Sequence, residues 1–445
     1  MLPVMRSAPR WLLSIALVTS SGCASSPYDR GWVDDSVQRA TGHAPGPTQP
    51  APSLPPGLRA DAPLTEDDAV AIALWNSPRF QVELARLGFS RADLAEAGAL
   101  PNPTLAFLLP IGPRQVELSA TYPVGALIQR PTRVAAAKLD VERTARALVE
   151  VALDLVRDVR LAHAEVILAR RRLLVRGELE RLGASTTELA LARLRGGDAS
   201  ELEARTARAD ALLAMDATVR ARLDVTLATE RLRRLLGLAV GPLGARLDVR
   251  GIPVVAGPPR PVSELVSIAL AARPDVRAAE LGVHAAGERL GWEKAKILQL
   301  LARVDVKPVG SQGGAPLLVI PGGQIDIPIF NWNPGGRGRA EAEMQQAAAR
   351  YAATTGDVAT AVRLAHAELE QAMASLAPLR ESLLPLLEAN VASSTRAYER
   401  GAETYLVALD ATRREQEAKL REVDLEGDVL RARASLDRAV GRKLP

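Results

Sequence analysis

Disulfides, metal clusters and stacked bases all need residues that this chain scarcely has. One cysteine in 445 residues leaves no intrachain disulfide. The four histidines, His43, His163, His284 and His366, have no second His, Cys or carboxylate at a metal-ligand spacing. Aromatic residues make up 3%, too few for a base-stacking platform. There is no phosphate loop, nucleophile elbow or catalytic carboxylate pair. Gly335-Gly336-Arg337-Gly338 follows Pro334 and lacks a Walker lysine, so it reads as a turn. An enzyme is the least favoured class, and no cofactor is expected. An excess of one charge is missing too. The 56 basic and 52 acidic residues, net +4, are mixed along the chain. That is the pattern of solvated helix faces, and no nucleic-acid partner is expected.

What is present starts with an address. Arg6 and Arg10 precede the apolar run Trp11 to Val18, which is too short to span a bilayer. Small residues lead to Cys23, so residues 1–22 read as a secretory signal. The Ser-Gly-Cys junction resembles a bacterial lipobox, although Ser20 stands where Leu is usual. The resemblance implies that Cys23 is lipidated. Ala24 and Ser25 lack an aspartate that would retain the protein at the inner membrane, which implies the outer membrane. Residues 23–63 carry eight prolines from Pro27 to Pro63 and read as an extended tether without a core.

The remainder is a duplication. Val159-Arg160-Leu161-Ala162-His163-Ala164-Glu165 recurs unchanged as Val362 to Glu368. Val70-Ala71-Ile72-Ala73-Leu74 with Pro78 is echoed by Val266 to Leu270 with Pro274. Two apolar rows with a period of seven mark the first long helix, Arg133 to Leu194. They are Val141, Leu148, Leu155, Ala162, Ala169 and Ala145, Ala152, Val159, Val166, Leu173. The second helix, Gly338 to Glu399, repeats them with Val358, Ala365, Ala372, Leu379 and Val362, Leu369, Leu376, Leu383; Pro378 and Pro385 should kink it. At 1.5 Å per residue such a helix is roughly 90 Å long, which predicts an elongated molecule. The chain divides into a first repeat at 64–237, a linker at 238–262 and a second repeat at 263–445.

Each repeat carries a strand pair, at about 104–122 and 303–329. Val116, Leu118, Ala120 and Tyr122 alternate with Glu117, Ser119 and Thr121. Arg303, Asp305 and Lys307 oppose Val304 and Val306; Gln324 and Asp326 oppose Ile325, Ile327 and Ile329. A helix is expected to run to about Leu301 before the second pair. Four strands cannot close a membrane barrel, for which about eight is the observed minimum. Open edges are not tolerated in hydrocarbon. If these strands cross a bilayer, several chains must share one barrel.

Leu64-Thr65 through Ala73-Leu74 with Asn76-Ser77-Pro78, Leu100-Pro101-Asn102-Pro103, and Pro328-Ile329-Phe330-Asn331-Trp332 with Gly335 to Arg339 resemble the TolC-like outer-membrane factor family. Tyr398 to Gly401 through Val407 to Ala411 complete the likeness, which covers residues 64 to 442. The lipid-anchored members are the nearer comparison. The resemblance implies a mainly α fold with an α-barrel of long antiparallel coiled-coil helices. It implies four strands per chain in a homotrimeric, twelve-stranded barrel in the outer-membrane lipid. It implies the passive exit duct of a tripartite efflux pump, its periplasmic tunnel meeting an adaptor protein and an inner-membrane pump of the RND type. By position, the tips are Arg195-Gly196-Gly197 and Arg400-Gly401-Ala402, with Arg195-Gly196 matched to Arg400-Gly401. Leu191, Leu194, Ser200, Tyr398, Thr404 and Tyr405 are the implied contact or gating residues. Val391 to Arg396 holds no acid where some members have acidic rings; Glu188, Asp198 and Glu403 are the nearest acids, and Arg396 or Arg400 is the alternative gate. Glu117, Arg303, Asp305, Lys307 and Asp326 are the implied lumen charges. The alternatives are a periplasmic coiled-coil adaptor and a structural lipoprotein. The first would have one hairpin flanked by β domains, and the second would not need alternating strands.

Overall fold

The computed structural model describes residues 24–47, 51–59, 62–109, 116–240, 248–251, 260–308 and 317–444. The signal segment, Cys23, and both strand-to-strand loops (110–115 and 309–316) lie outside the described residues. The elements run α1 (Arg30–Thr41), α2 (Glu66–Asn76), α3 (Pro78–Gly98), β1 (Thr104–Leu108), β2 (Glu117–Tyr122), α4 (Gly125–Gly196) and α5 (Glu201–Leu235). They continue with α6 (Val262–Ala272), α7 (Pro274–Ala295), β3 (Gln299–Pro308), β4 (Leu317–Asp326), α8 (Pro334–Pro378), a π turn (Leu379–Leu383), α9 (Leu384–Glu399) and α10 (Tyr405–Val440). Local chemistry places several boundaries. Thr65 and Asp68 form a reciprocal capping box at α2. Pro78 and Pro274 open new helices where a helix interior would reject them. Gly441, at φ 84°, closes α10 in the left-handed conformation.

Contacts divide the chain into two compact units, each drawing on both halves of the sequence. One holds residues 24–32, 84–147 and 275–354, and therefore the sheet; the other holds 33–83, 148–274 and 355–445.

In the first unit the four strands form one antiparallel sheet in the order β1-β2-β3-β4. The β2–β3 pairing, with Ser119 opposite Asp305 and Thr121 opposite Arg303, joins the two repeats. β3 begins at Gln299, so the helix expected to reach Leu301 stops at Ala295. β4 spans Leu317–Asp326 and runs through Pro321-Gly322-Gly323, so Ile327 and Ile329, expected in the strand, lie beyond it. At the strand end of α3, a side chain on Gly98 would stand 2.7 Å from the Ala24 methyl. Glycine there lets the N-terminal segment pass. Tyr28 and Trp32 meet edge to face at 4.9 Å, with the Arg146 guanidinium 5.4 Å from the Trp32 ring. The stretch expected to be a bare tether therefore contains a helix, α1, whose Val33 and Val37 are fully buried.

In the second unit the heptad rows form the seam. Val159 and Val166 on α4 and Val362 on α8 are fully buried. The second row fails at Leu383, which is 44% exposed, while Leu384 is buried. The π turn is the reason. Leu384 N–H donates to the Leu379 carbonyl, five residues back, between Pro378 and Pro385. One extra residue in the turn rotates everything after it by about 100°. The two prolines predicted to kink the helix thus flank a shift of register. The duplicated histidines make duplicated contacts. His163 Nε2 lies 3.2 Å from the Leu64 carbonyl, and His366 Nε2 lies 3.0 Å from that of Arg260. The end of α10 is pinned to α4 by charge. Arg160 reaches Glu66 at 3.0 Å and Asp437 at 2.9 Å; Arg438 reaches Asp154 at 2.8 Å and Glu150 at 2.5 Å.

Burial holds the His163 pKa below its ordinary 6.5, against the Leu64 hydrogen bond, which raises it. The unfolded chain therefore takes up this proton more readily than the folded one. His163 supports the fold above pH 6.5, and that support is lost as pH falls through the lowered value. Thermal unfolding of the solubilised protein should show the midpoint falling between pH 7 and 5. His163→Gln should flatten part of that slope, and His163→Ala should cost about 1–3 kcal/mol at pH 7 by removing a buried hydrogen bond and emptying a fully buried site.

Candidate functional site

Two places carry chemistry: the turns that end the long helices and one face of the sheet. Both turns have the same backbone. Asp198 N–H donates to the Arg193 carbonyl and Ala402 N–H to that of Ala397, each at 2.9 Å. Gly197 (φ 82°) and Gly401 (φ 74°) occupy the left-handed position that this 6→1 turn requires. The structural counterpart of Arg400-Gly401 is therefore Gly196-Gly197. The sequence alignment of Arg195-Gly196 with Arg400-Gly401 was one residue out. The offset between the histidines is 203 and between the left-handed glycines 204; the π turn supplies the additional residue. Ser200 caps α5 through Glu203 N–H at 3.1 Å, whereas Thr404 caps α10 with no side-chain bond.

The expected tip residues separate into two sets. Leu191, Arg195, Gly196, Gly197, Ser200, Arg396, Arg400, Gly401 and Thr404 are exposed, and Leu194 is half-buried. Tyr398 and Tyr405 are buried, packed with Ala190, Ala207 and Ala408 between the two hairpins of the chain. Their hydroxyls reach across. Tyr398 Oη donates to Glu203 at 3.1 Å and Tyr405 Oη to Asp210 at 3.4 Å. Arg413 holds Asp210 at 2.5 Å, and the Arg193 guanidinium lies 4.6 Å from the Tyr398 ring. Burial first, then the facing carboxylates, push both phenol pKa values up, so both stay protonated donors. The group is a latch between hairpins. Beside it lies a cavity of about 520 Å³ bounded by Arg176, Gly183, Asp210, Thr395, Tyr405 and Arg413. The sequence reading missed Glu203, Asp210, Arg193 and Arg413. The trace they leave is weak: the two acids stand seven apart, as one face of a helix would place them. It also missed Leu202 and Leu406, 74% and 65% exposed at matching positions after the two turns.

The sheet face is built by register. Continuing the pairings places Leu105, Phe107, Leu118, Ala120, Tyr122, Ala302, Val304, Val306, Leu317, Val319 and Ile325 on one side. Glu117, Ser119, Thr121, Arg303, Asp305, Lys307, Gln324 and Asp326 take the other, with Ala106, Leu108, Leu301, Leu318 and Ile320 as apolar exceptions. The five expected lumen charges do share a face. Arg303 Nε and Ser119 Oγ both donate to Asp305 Oδ1, each at 2.7 Å. On the opposite side Leu105, Phe107, Val304, Leu317, Val319 and Ile325 are 39–70% exposed. Such a continuous uncovered apolar surface is foreign to a protein face meant for water. Among the described residues no helix is long and apolar enough to cross a membrane.

Residues 319–442 match the model of the family described as outer membrane efflux protein. The chain is 25% identical over 391 residues to the cobalt-zinc-cadmium resistance protein CzcC of Cupriavidus metallidurans, covering 86% of this chain and 91% of that one. The fold is that of the outer membrane protein VceC of Vibrio cholerae, with a TM-score of 0.73, 19% identity, and coverage of 85% and 97%. The transmembrane channel protein CusC is equally similar, with a TM-score of 0.73, 19% identity, and coverage of 89% and 98%. A local match in sequence and a likeness along most of the fold converge: the chain carries an outer membrane efflux protein segment at 319–442 within the fold that VceC and CusC share.

Proposed function

We propose that the protein is the outer-membrane exit duct of a three-component efflux system. The observation that carries this is the one-sided sheet. Its apolar face is uncovered and its two edge strands, β1 and β4, are open. In water the exposed face is unfavourable, at about 25 cal/mol per Å² of apolar surface left wet; against lipid it is satisfied. The edges are the harder constraint, because hydrocarbon offers no partner for a free N–H or C=O. Three copies would supply twelve strands and join each β4 to a neighbour's β1. The polar face would then line a water-filled path. Transport through it is passive, and the energy comes from elsewhere.

The exposed turns, with Leu202, Leu406 and Arg400 beside them, are suited to a periplasmic adaptor that joins the duct to an inner-membrane pump, of the RND type by analogy. Cys23 would carry the lipid. The contact of Ala24 with Gly98 holds the residue after it close to the start of β1. Similarity to CzcC favours metal cations as the cargo class. A coiled-coil adaptor or structural lipoprotein would have no use for a sheet of this kind.

Two outcomes are expected. Val304→Lys, which sets a charge on the apolar face, should cost about 2–4 kcal/mol in lipid and remove the protein from the outer-membrane fraction. Gln324→Lys, on the polar face, should remain there as a trimer by native mass spectrometry. Equal behaviour of the two variants would rule out a lipid-facing sheet. At the turns, Tyr398→Phe combined with Arg413→Ala should free the hairpins from each other. Single-channel conductance in a planar bilayer should rise severalfold while the trimer persists; wild-type conductance in the double variant would exclude the latch.

A further inference from the structure

We infer that Arg380 positions a pivot, level with Glu426 and Gly427, about which the turn-proximal part of the second hairpin (α9–α10) moves against the first (α4–α5). The inference rests on the duct reading above, which gives that motion its use. Two helices lose stiffness at this level. Between α8 and α9, Pro378 and Pro385 bring no N–H to the ladder and flank the π turn. In α10, Gly427 interrupts the helix interior; a side chain there would stand 2.8 Å from Leu168 Cδ1 on α4. Charge joins the two weak points. Arg380 donates from Nε to Glu422 at 2.9 Å and from Nη2 to Glu426. Arg171 on α4 pairs with the same Glu426, whose side chain is 4% exposed. Truncating either guanidinium leaves that buried carboxylate short of a partner.

The two sides of this level differ. At it and away from the turns, ion pairs repeat between α4 and α10: Arg172 with Asp424 at 2.9 Å, Arg160 with Asp437 at 2.9 Å, and Arg438 with Asp154 at 2.8 Å. α8 buries Val362, Ala365, Leu369, Ala372 and Leu376 in regular order. Toward the turns that hold weakens. Of its 16 residues, α9 buries Leu384 at its start and Tyr398 near its end, and no other. α10 buries the polar Thr412, Glu415 and Gln416, and Gln416 Oε1 has no hydrogen-bond partner among the described residues. The cavity of about 520 Å³ lies in this stretch, bounded by α4, α5, α9 and α10. Among the described residues, the next ion pair between the hairpins is Arg413 with Asp210, in the latch. The segment is thus a lever, fixed at Arg380 and held again at the latch. The stretch from Tyr405 to Glu426 is roughly 30 Å long at 1.5 Å per residue, so a rotation of about 10° moves the turn by about 5 Å.

Spin labels on the full chain test this, with Cys23 replaced by Ser and labelled copies diluted into unlabelled ones. One pair stands at the turns, Leu202→Cys with Leu406→Cys. The other stands near the pivot, Leu174→Cys with Arg421→Cys; all four residues are exposed. Distances are read by double electron–electron resonance in detergent. When Tyr398→Phe and Arg413→Ala break the latch, the turn pair should shift by about 5 Å and the pivot pair by about 1 Å. Adding Arg380→Gln should displace the pivot pair by several ångström as well. Adding Pro385→Ala with Gly427→Ala instead should halve the shift at the turns. Equal shifts at both pairs, no shift at the turns, or a pivot pair unmoved by Arg380→Gln each overturns the inference. A graded shift in a protein that conducts no ions in a planar bilayer sinks the duct reading and leaves the pivot standing.

Discussion

A backbone amide in hydrocarbon must find its partner in protein, and that rule governs this chain more than any side chain does. Four strands in the order β1-β2-β3-β4 satisfy three pairings and leave two edges bare. The uncovered apolar face points to lipid, and lipid makes the bare edges untenable. On the duct reading, assembly is therefore built into the fold of a single copy.

The second organising feature is duplication, and the departures from it are informative. His163 and His366 hold equivalent carbonyls at Leu64 and Arg260, so the repeats agree near the middle of the helices. They disagree after the π turn. The row that begins Val362, Leu369, Leu376 would reach Leu383, but the inserted residue passes the seam to Leu384 and then to Tyr398. Two prolines and one extra residue thus turn a tyrosine inward. The first helix has Leu194 at the matching place, half-buried and unable to donate a hydrogen bond. The latch is consequently one-sided: the second hairpin supplies the phenols and the first supplies Glu203 and Asp210.

Much of this was legible in the residues. Seven-residue rows, capping at Thr65, the helix breaks at Pro78 and Pro274, and the alternation around Glu117 and Arg303 all depend on neighbours close in sequence. The misreadings occurred where distant contacts decide. Residues 30–41 look like part of a proline-rich tether, yet Val33 and Val37 find a buried site and the segment coils. The second strand pair reads as 303–329, yet pairing of Gln299 with Asp326 starts β3 earlier and ends β4 sooner. The tip alignment slipped by one residue because a π turn has no composition of its own. Tyr398 and Tyr405 were recognised as notable, but which acids they face depends on how one hairpin lies against the other.

The matched turns at Gly197 and Gly401 carry a stoichiometric consequence. Each copy ends in two bends of one backbone shape but unlike side chains, Gly196 and Asp198 in one, Arg400 and Ala402 in the other. The threefold ring proposed for the duct would present six of them, three of each kind. A visitor that reads main-chain shape can dock six times; one that reads side chains finds only three identical berths.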